Sequence, residues 1–591
     1  MTPNLRVRRT LPAVVVALLL SLPTYAQSTD PLQVGYAGRF TDSGRTPPDG
    51  ALVMRYSQDG LLVSETAVAA TVLTTAVQLP LEIKPGESNT AIAMANPGVT
   101  VPNIFTARVL DLQGNLILTM RLPQMSSRGQ YARYVTELIP GLPEQFRGVL
   151  MIDSTAPVVV AALRISANAR GEPVLTKLPV ADRSRSLGNE AVSLPHFADG
   201  EGFSTQTILL NSGDTTLRGE LRFYNQQGAA LGVGIVGQGR TSTVSYSIAP
   251  GGAFIAQTDG AAAPLAVGSI VVSPQSGSAT PIATSMLAYR PGGTLVCETA
   301  IGAPTYGRSA RMYVEYSELR NTGIAISTAG SAATLTLQLR AISGNVGPVS
   351  SNQLTLPAGG QTARYISELF PAMSKPFHGV LEITSTNPIA AVVLRQTLNA
   401  RNHLLFTSLP VANLDAPDPN RVQYFPQLVM GGGYESDFIL IDRSLTPAAA
   451  ASGLFQFRTG SGFGLSVWMK GTFKDEIPFA LSAASAESSV PMNAERPLAV
   501  VTRVIEVTVG ESFFQILRAQ GGNLPYEWDI TFGSLPAGLT MNLLGVVSGT
   551  VRTPVPGTVI GIRVRDRQRD EAPNSIQFVI KNPATPGIQP R

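Results

Sequence analysis

Three histidines, one cysteine and a few adjacent carboxylates are the residues with which this 591-residue chain could do chemistry. His196, His378 and His403 stand far apart, and no His/Cys cluster has the short spacing of metal ligands. No Gly-x-Ser-x-Gly elbow, phosphate loop or dinucleotide fingerprint falls between a strand and a helix. Gly431-Gly432-Gly433 imitates a phosphate loop, but it joins two strand patterns, where a β-turn is expected. Asp475-Glu476 lie in a polar loop, the setting of solvated acids. Arg133 and Glu137 are four residues apart, as are Arg364 and Glu368, so one helical turn would bring each pair together. Each pair reads either as a ligand-binding charge pair or as a capped turn before Pro140 or Pro371, and the turn is the simpler expectation. No nucleophile, acid and base come together, and catalysis is not expected.

The elements that would position these residues belong to a long repeat. Pro31-Leu32-Gln33-Val34-Gly35 returns as Pro264-Leu265-Ala266-Val267-Gly268 and as Pro497-Leu498-Ala499-Val500, each step being 233 residues. Glu65-Thr66-Ala67 returns as Glu298-Thr299-Ala300, Gly148-Val149-Leu150 as Gly379-Val380-Leu381, and Leu163-Arg164 as Leu394-Arg395. Matching of this extent marks a duplication, and arrays present surfaces more often than one catalytic pocket. Cys297 aligns with Ser64 and no histidine aligns with another, so the cysteine reads as a small structural residue. A weaker half-period, Thr90–Asn96 against Thr205–Asn211, divides each copy into two β modules of about 110 residues, the length of a sandwich rather than a propeller blade.

The expected organisation is all-β: tandem immunoglobulin-like sandwich modules in two long repeats, followed by a further domain. The segments are a leader at 1–26, a partial module at 27–74, modules at 75–184, 185–305 and 306–416, a partial fourth at 417–497, a domain at 501–583 and a tail at 584–591. The fourth module lacks the part that Gly268 to Ala303 supplies to the second, and residues 31–70 are an orphan copy of that part. Open sheet edges are unfavourable, so residues 31–70 are expected to complete residues 422–496. Packing on the first module, or completing a neighbouring molecule, are the alternatives.

Composition narrows the function classes. Arg6, Arg8 and Arg9, the apolar run Leu11 to Leu22 and Thr24-Tyr25-Ala26 read as a secretory leader, so export to periplasm, cell surface or medium is expected. No stretch is apolar and long enough for a membrane span. Three of the 44 cationic residues lie in the leader and none of the 40 acids does, so the rest is balanced to within one charge. That excludes the basic excess of a nucleic-acid binder. One cysteine leaves no disulfide framework, and stability must come from packed cores.

From about Val501 the pattern changes. Gly521-Gly522, Pro525-Tyr526, Trp528, then Gly533-Ser534-Leu535-Pro536-Ala537-Gly538-Leu539 and Gly545-Val546-Val547-Ser548-Gly549-Thr550 follow in order. This region resembles the immunoglobulin-like repeat of bacterial surface proteins, related to dystroglycan-type cadherin-like domains. The upstream modules resemble tandem repeats of secreted bacterial proteins, through Asn96-Pro97-Gly98, Pro357-Ala358-Gly359-Gly360 and Leu178-Pro179-Val180-Ala181. Calcium between domains is what the cadherin resemblance implies, with Asp566, Asp570 and Glu571 as oxygen ligands. Arg565, Arg567 and Arg569 depart from that pattern and would pair with those acids, leaving an ion-paired loop. The expected function is a non-catalytic structural or adhesive one, with a protein or glycan partner at or beyond the cell surface. A calcium-binding surface protein and a carbohydrate-binding accessory are the alternatives, although aromatics, at 6%, form no repeated platform.

Overall fold

The computed structural model describes residues 32–582, apart from 100–101, 343–348, 462–464, 466, 470–471, 483, 489–497, 521–525, 554–556 and 567–568. The leader, the tail and the Pro497 start of the third motif lie outside the described residues. Among the described residues the structure is all-β, in tandem sandwich modules, with single α-helical turns at Val135–Leu138 and Ile366–Leu369 and 3-10 turns at Pro291–Gly293 and Pro447–Ala449. No helix among the described residues is long and apolar enough to cross a membrane.

Two module designs alternate. The first (74–182) and third (307–413) each wind round one 22-residue strand, Phe146–Ala167 or Phe377–Leu398. The first half of Phe146–Ala167 pairs with Thr74–Lys84 and Asn103–Asp111; its second half pairs with Ser88–Ala95 and Pro173–Leu178. One strand thus serves two faces that enclose a common core. The repeated glycine near its start is obligatory: a Cβ on Gly148 would collide with the carbonyl oxygen of Leu110, and one on Gly379 with that of Arg340.

The second module (192–302) holds two separate four-stranded sheets. In one, Ala266–Pro274 lies between Val192–Asp199 and Leu217–Asn225; in the other, Ile282–Tyr289 lies between Phe203–Leu210 and Cys297–Gly302. The fourth module repeats this plan with strands from before the first module and after the third. Gln33–Thr41 lies between Val422–Met430 and Ser452–Thr459, and Asp49–Gln58 lies between Tyr434–Ile441 and Leu61–Ala69. Register is the same in both modules, with Tyr56 opposite Tyr434 and Tyr289 opposite Phe203. Ala37, Leu52, Met54 and Val68 from the N-terminal strands pack on Phe425, Phe438, Phe455 and Phe457. The glycine of the Pro-Leu motif is again a close approach: a Cβ at Gly35 or Gly268 would strike the carbonyl oxygen of Arg458 or Tyr224.

Contacts between modules close a ring. Leu61–Ala69, Pro173–Leu178, Cys297–Gly302 and Leu404–Leu409, one strand per module, meet in cyclic order about its centre. Equivalent residues seal equivalent interfaces: the Gln130 side chain donates to Pro426 O and Gln361 to Pro195 O, while Gln78 donates to Gly251 O and Arg311 to Ser444 O. Across the ring, the tips of the first and third modules join through Glu172 and Arg401.

The C-terminal domain (499–581) packs Trp528 among Ile505, Val547, Ile562 and Phe578. Its two signature turns face each other, since Thr550 N–H donates to Gly538 O at 3.0 Å. A Cβ on Gly538 would strike Thr550 O, and one on Gly549 would strike Gly538 O. Ile516, Leu544 and Val546 dock this domain on Leu319 and Ala400 of the third module, and Arg518 lies 3.5 Å from Asp59 of the fourth.

Candidate functional site

The duplicated Arg and Glu positions converge on two interfaces. Between the third and fourth modules, Arg395 Nη2 lies 2.8 Å from Glu65, with both side chains fully buried. Between the first and second, Arg164 makes the matching contact with Glu298, its Nε donating at 3.0 Å. Each arginine also faces a second carboxylate at 3.6 Å, Glu315 for Arg395 and Glu82 for Arg164. That carboxylate is placed by a threonine: Thr322 Oγ1 accepts the N–H of Glu315, as Thr90 Oγ1 accepts that of Glu82.

Around this shared frame the two interfaces diverge. In the third-to-fourth interface Arg55 lies 2.7 Å from Asp437 and 3.4 Å from Glu435, and Arg320 lies 3.0 Å from Glu315. Tyr313 Oη donates to Glu315 at 2.9 Å. All these charged groups are buried, and the interface is solid. Strand register puts Ala288 at the position of Arg55, Ser204 at that of Glu435, Gln206 at that of Asp437 and Ser88 at that of Arg320. Three long charged side chains thus become short ones. The space they vacate is a cleft of about 330 Å³, lined by Glu82, Arg147, Arg164, Gln206, Arg290 and Glu298 among others.

The cleft is polar and pre-organised. Gln206 donates to Gln257 at 3.1 Å, Ser88 Oγ donates to Glu82 at 3.1 Å, and Arg147 Nε donates to Glu82 at 2.9 Å. Burial pushes the Glu82 carboxyl up, but Arg164 and Arg147 outweigh it and hold the group below the ordinary range. Burial works equally against the Arg164 cation, which Glu298 and Glu82 nevertheless keep charged.

The C-terminal domain docks beside the solid interface, and its Ile516 also joins the cluster that holds Leu61 and Leu175 near the centre of the ring. Beside the solid interface it meets Leu319 and Asp59, whose counterparts beside the cleft are Glu87 and Gly292. At those positions the rim of the cleft carries an acid in place of the apolar Leu319 and a glycine in place of Asp59.

The acids singled out for calcium are not brought together. Asp566 is buried, and its carboxylate accepts the Asp570 N–H at 2.9 Å, closing its own turn. Asp570 is exposed. Glu571 lies 2.6 Å from Arg565 and 3.1 Å from Arg563, which also hold Asp529 at 3.2 and 2.7 Å. Hydrogen bonding to Arg565 holds the Glu571 carboxyl low. Among the described residues no three His, Cys, Asp or Glu side chains are grouped to hold a metal, and this donor set does not fit calcium. Arg567 lies outside the described residues.

The other singled-out residues are structural. Glu137 accepts the N–H of Tyr134 at 3.1 Å and Glu368 that of Tyr365 at 2.7 Å, so each acid caps the start of its helical turn. His196 is pushed down to about 4 by burial. His378 Nδ1 lies 3.2 Å from Tyr313 Oη, and His403 has its pKa lowered by burial and by Arg170 and Arg401. Gly431, Gly432 and Gly433 all have positive φ in the tight turn before Tyr434. The cleft residues Ser88, Ser204 and Ala288 carry no signal of their own; only their difference from Arg320, Glu435 and Arg55 exposes them.

A ring of β-sandwich modules bearing an appended immunoglobulin-like domain is the class that this fold defines. Residues 496–581 match the family described as "Putative Ig domain". No curated protein matches the sequence. Among solved structures the chain is similar to the insect immune protein hemolin, at 10% identity over 54% of this chain and 85% of that one, with a TM-score of 0.12. It is also similar to the eight N-terminal Ig domains of Down syndrome cell adhesion molecule, at 10% identity over 83% of this chain and 70% of that one, with a TM-score of 0.14.

Proposed function

We propose that this protein is an exported, non-catalytic binding protein of structural or adhesive role, whose ring is a rigid scaffold and whose ligand site is the cleft between the first and second modules. The observation that carries this reading is the contrast between the two copies. The same frame of Arg, Glu and Thr is filled with charged side chains in one interface and emptied by short ones in the other, with no loss of the ion pair beneath. A cavity retained over a buried ion pair exposes polar groups that need partners.

Catalysis fits the cleft poorly. Two carboxylates flanking a polar cleft would suit glycoside hydrolysis, which requires one of them protonated at its working pH. Glu82 is shifted in the opposite direction, and both acids are engaged by arginine. The thiol of Cys297 is pushed up to about 12 by burial, the reverse of an activated nucleophile.

Glycan-array and pull-down binding by the full chain, compared with Ser88→Arg/Ser204→Glu/Ala288→Arg, tests the proposal. The triple variant rebuilds the solid interface in the cleft and should lose the ligand while keeping its fold. Retention of every partner by a folded triple variant would refute the cleft as the site.

A further inference from the structure

Resting on that reading, we infer that the cleft takes a saccharide bearing a carboxylate, a uronic-acid type of sugar at its accessible end. The two copies differ in where their cations stand as well as in volume. In the solid interface the cations are central, at Arg55 and Arg320. In the open one those positions are Ala288 and Ser88, and cations appear instead at Arg290, Arg147 and Lys84, where the other copy has Ser57, His378 and Ser317. Positive charge has moved from the interior to the lining of an accessible cavity.

Arg147 is committed to Glu82, and Lys84 faces Glu87 at 3.9 Å. Arg290 is half-buried and donates to the neutral Ser204 Oγ at 3.2 Å. Its guanidinium fork suits a carboxylate, which it can hold through two parallel hydrogen bonds. The rest of the lining mixes acceptors (Glu82, Glu298) and a donor (Arg164) with amides that are both (Gln206, Gln257). Hydroxyl groups answer such a mixed lining, since each can donate and accept. The volume of about 330 Å³ is at the lower end of the range of small-molecule sites, enough for a terminal mono- or disaccharide. The polar lining offers little to a lipid.

The test is titration calorimetry on the full mature chain with three probes: a uronic-acid disaccharide, its neutral glucose counterpart and a short peptide rich in Asp and Glu. The uronate should bind, the neutral sugar should bind at least about tenfold more weakly, and Arg290→Ala should weaken the uronate about ten- to a hundredfold, the usual effect of losing a charge-assisted hydrogen bond. Arg290→Lys should fall between, because charge survives without the fork. Equal affinity for neutral and acidic sugars, or an unaffected Arg290→Ala, overturns the inference. Preference for the acidic peptide, abolished by the triple variant, overturns the sugar and leaves the cleft standing as a binding site. Binding of no probe, with glycan and partner capture unchanged in the triple variant, removes both.

Discussion

Ser64 and Cys297, 233 residues apart, play equivalent parts, for Ser64 Oγ accepts the Leu175 N–H at 2.8 Å and Cys297 Sγ accepts the Phe406 N–H at 3.0 Å. Each satisfies a buried donor on the strand that the neighbouring module brings to the centre of the ring. Oxygen and sulfur are interchangeable there because each can accept that N–H and also donate, as Cys297 Sγ does to Phe406 O at 3.4 Å. Cys297→Ser should therefore shift the melting temperature little, whereas Cys297→Ala strands the N–H and should cost about 1–3 kcal/mol in denaturant titration. Maleimide labelling of the native protein should be slow at neutral pH, since burial pushes the thiol up to about 12. Rapid labelling without unfolding would contradict this account.

Removing one partner of the solid interface should be costly. Arg395→Met leaves Glu65 and Glu315 without their central cation, and breaking a buried pair in this way costs about 3–5 kcal/mol. Arg164→Met, beside a cleft that water can enter, should cost less. Chemical denaturation of the two variants checks the order, and equal losses would mean that the interfaces are equally dry.

Acid should weaken the ring through the same groups. Burial raises the Glu65 carboxyl, but Arg395, Arg320 and Arg55 together hold it below its ordinary 4.5. A folded-state pKa below the unfolded one contributes stability that is complete above about pH 4.5 and lost as pH falls through the lower, folded value. Glu82 acts in the same direction. Melting temperature against pH should fall below about 4.5, and the fall should be shallower in Glu65→Gln, whose overall stability is lower. An identical acid slope in that variant would show that other carboxylates control the transition.

Deleting residues 27–70 should do more than loosen one module. The deletion bares Phe425, Phe438, Phe455 and Phe457 and also removes Glu65 from Arg395 and Ser64 from Leu175. Dye binding to exposed apolar surface should rise, and the melt should become broader and lower. A profile matching the full chain would refute the structural role of these strands.

Calcium and a chelator should leave the melting of the C-terminal domain unchanged, because Arg563 and Arg565 already hold Glu571 and Asp566 closes its own turn. A saturable rise on adding calcium would show that these residues rearrange around the ion.

Much of the architecture is written in what the two copies share. Gly35 and Gly268 recur because a carbonyl oxygen crowds each one, and their phase aligns residues 31–70 with strands that Val422–Met430 and Tyr434–Ile441 now pair. Arg164 and Glu298 recur as well, but 134 residues separate them, and no local pattern names them partners. The Arg133–Glu137 spacing was ambiguous for the opposite reason, since Glu137 reaches its own turn's N–H more readily than a neighbouring side chain. The cleft is not legible in the repeat, because it lies in what the copies do not share. Ser88, Ser204 and Ala288 are ordinary residues until the strand register of the two copies sets them at the positions that Arg320, Glu435 and Arg55 hold in the other.

The fourth module, made from strands on either side of the first three, also decides how the molecule responds to force. Tension applied at residues 33 and 488 loads Gln33–Thr41 against Val422–Met430 and Ser452–Thr459, and Ala486–Ser488 against Tyr434–Ile441, so these pairings act as one clasp. The first three modules lie on the slack side of that clasp and feel no pull until it parts. A tethered molecule of this design would yield at one place, with some 350 residues of folded chain held in reserve between Ala69 and Val422.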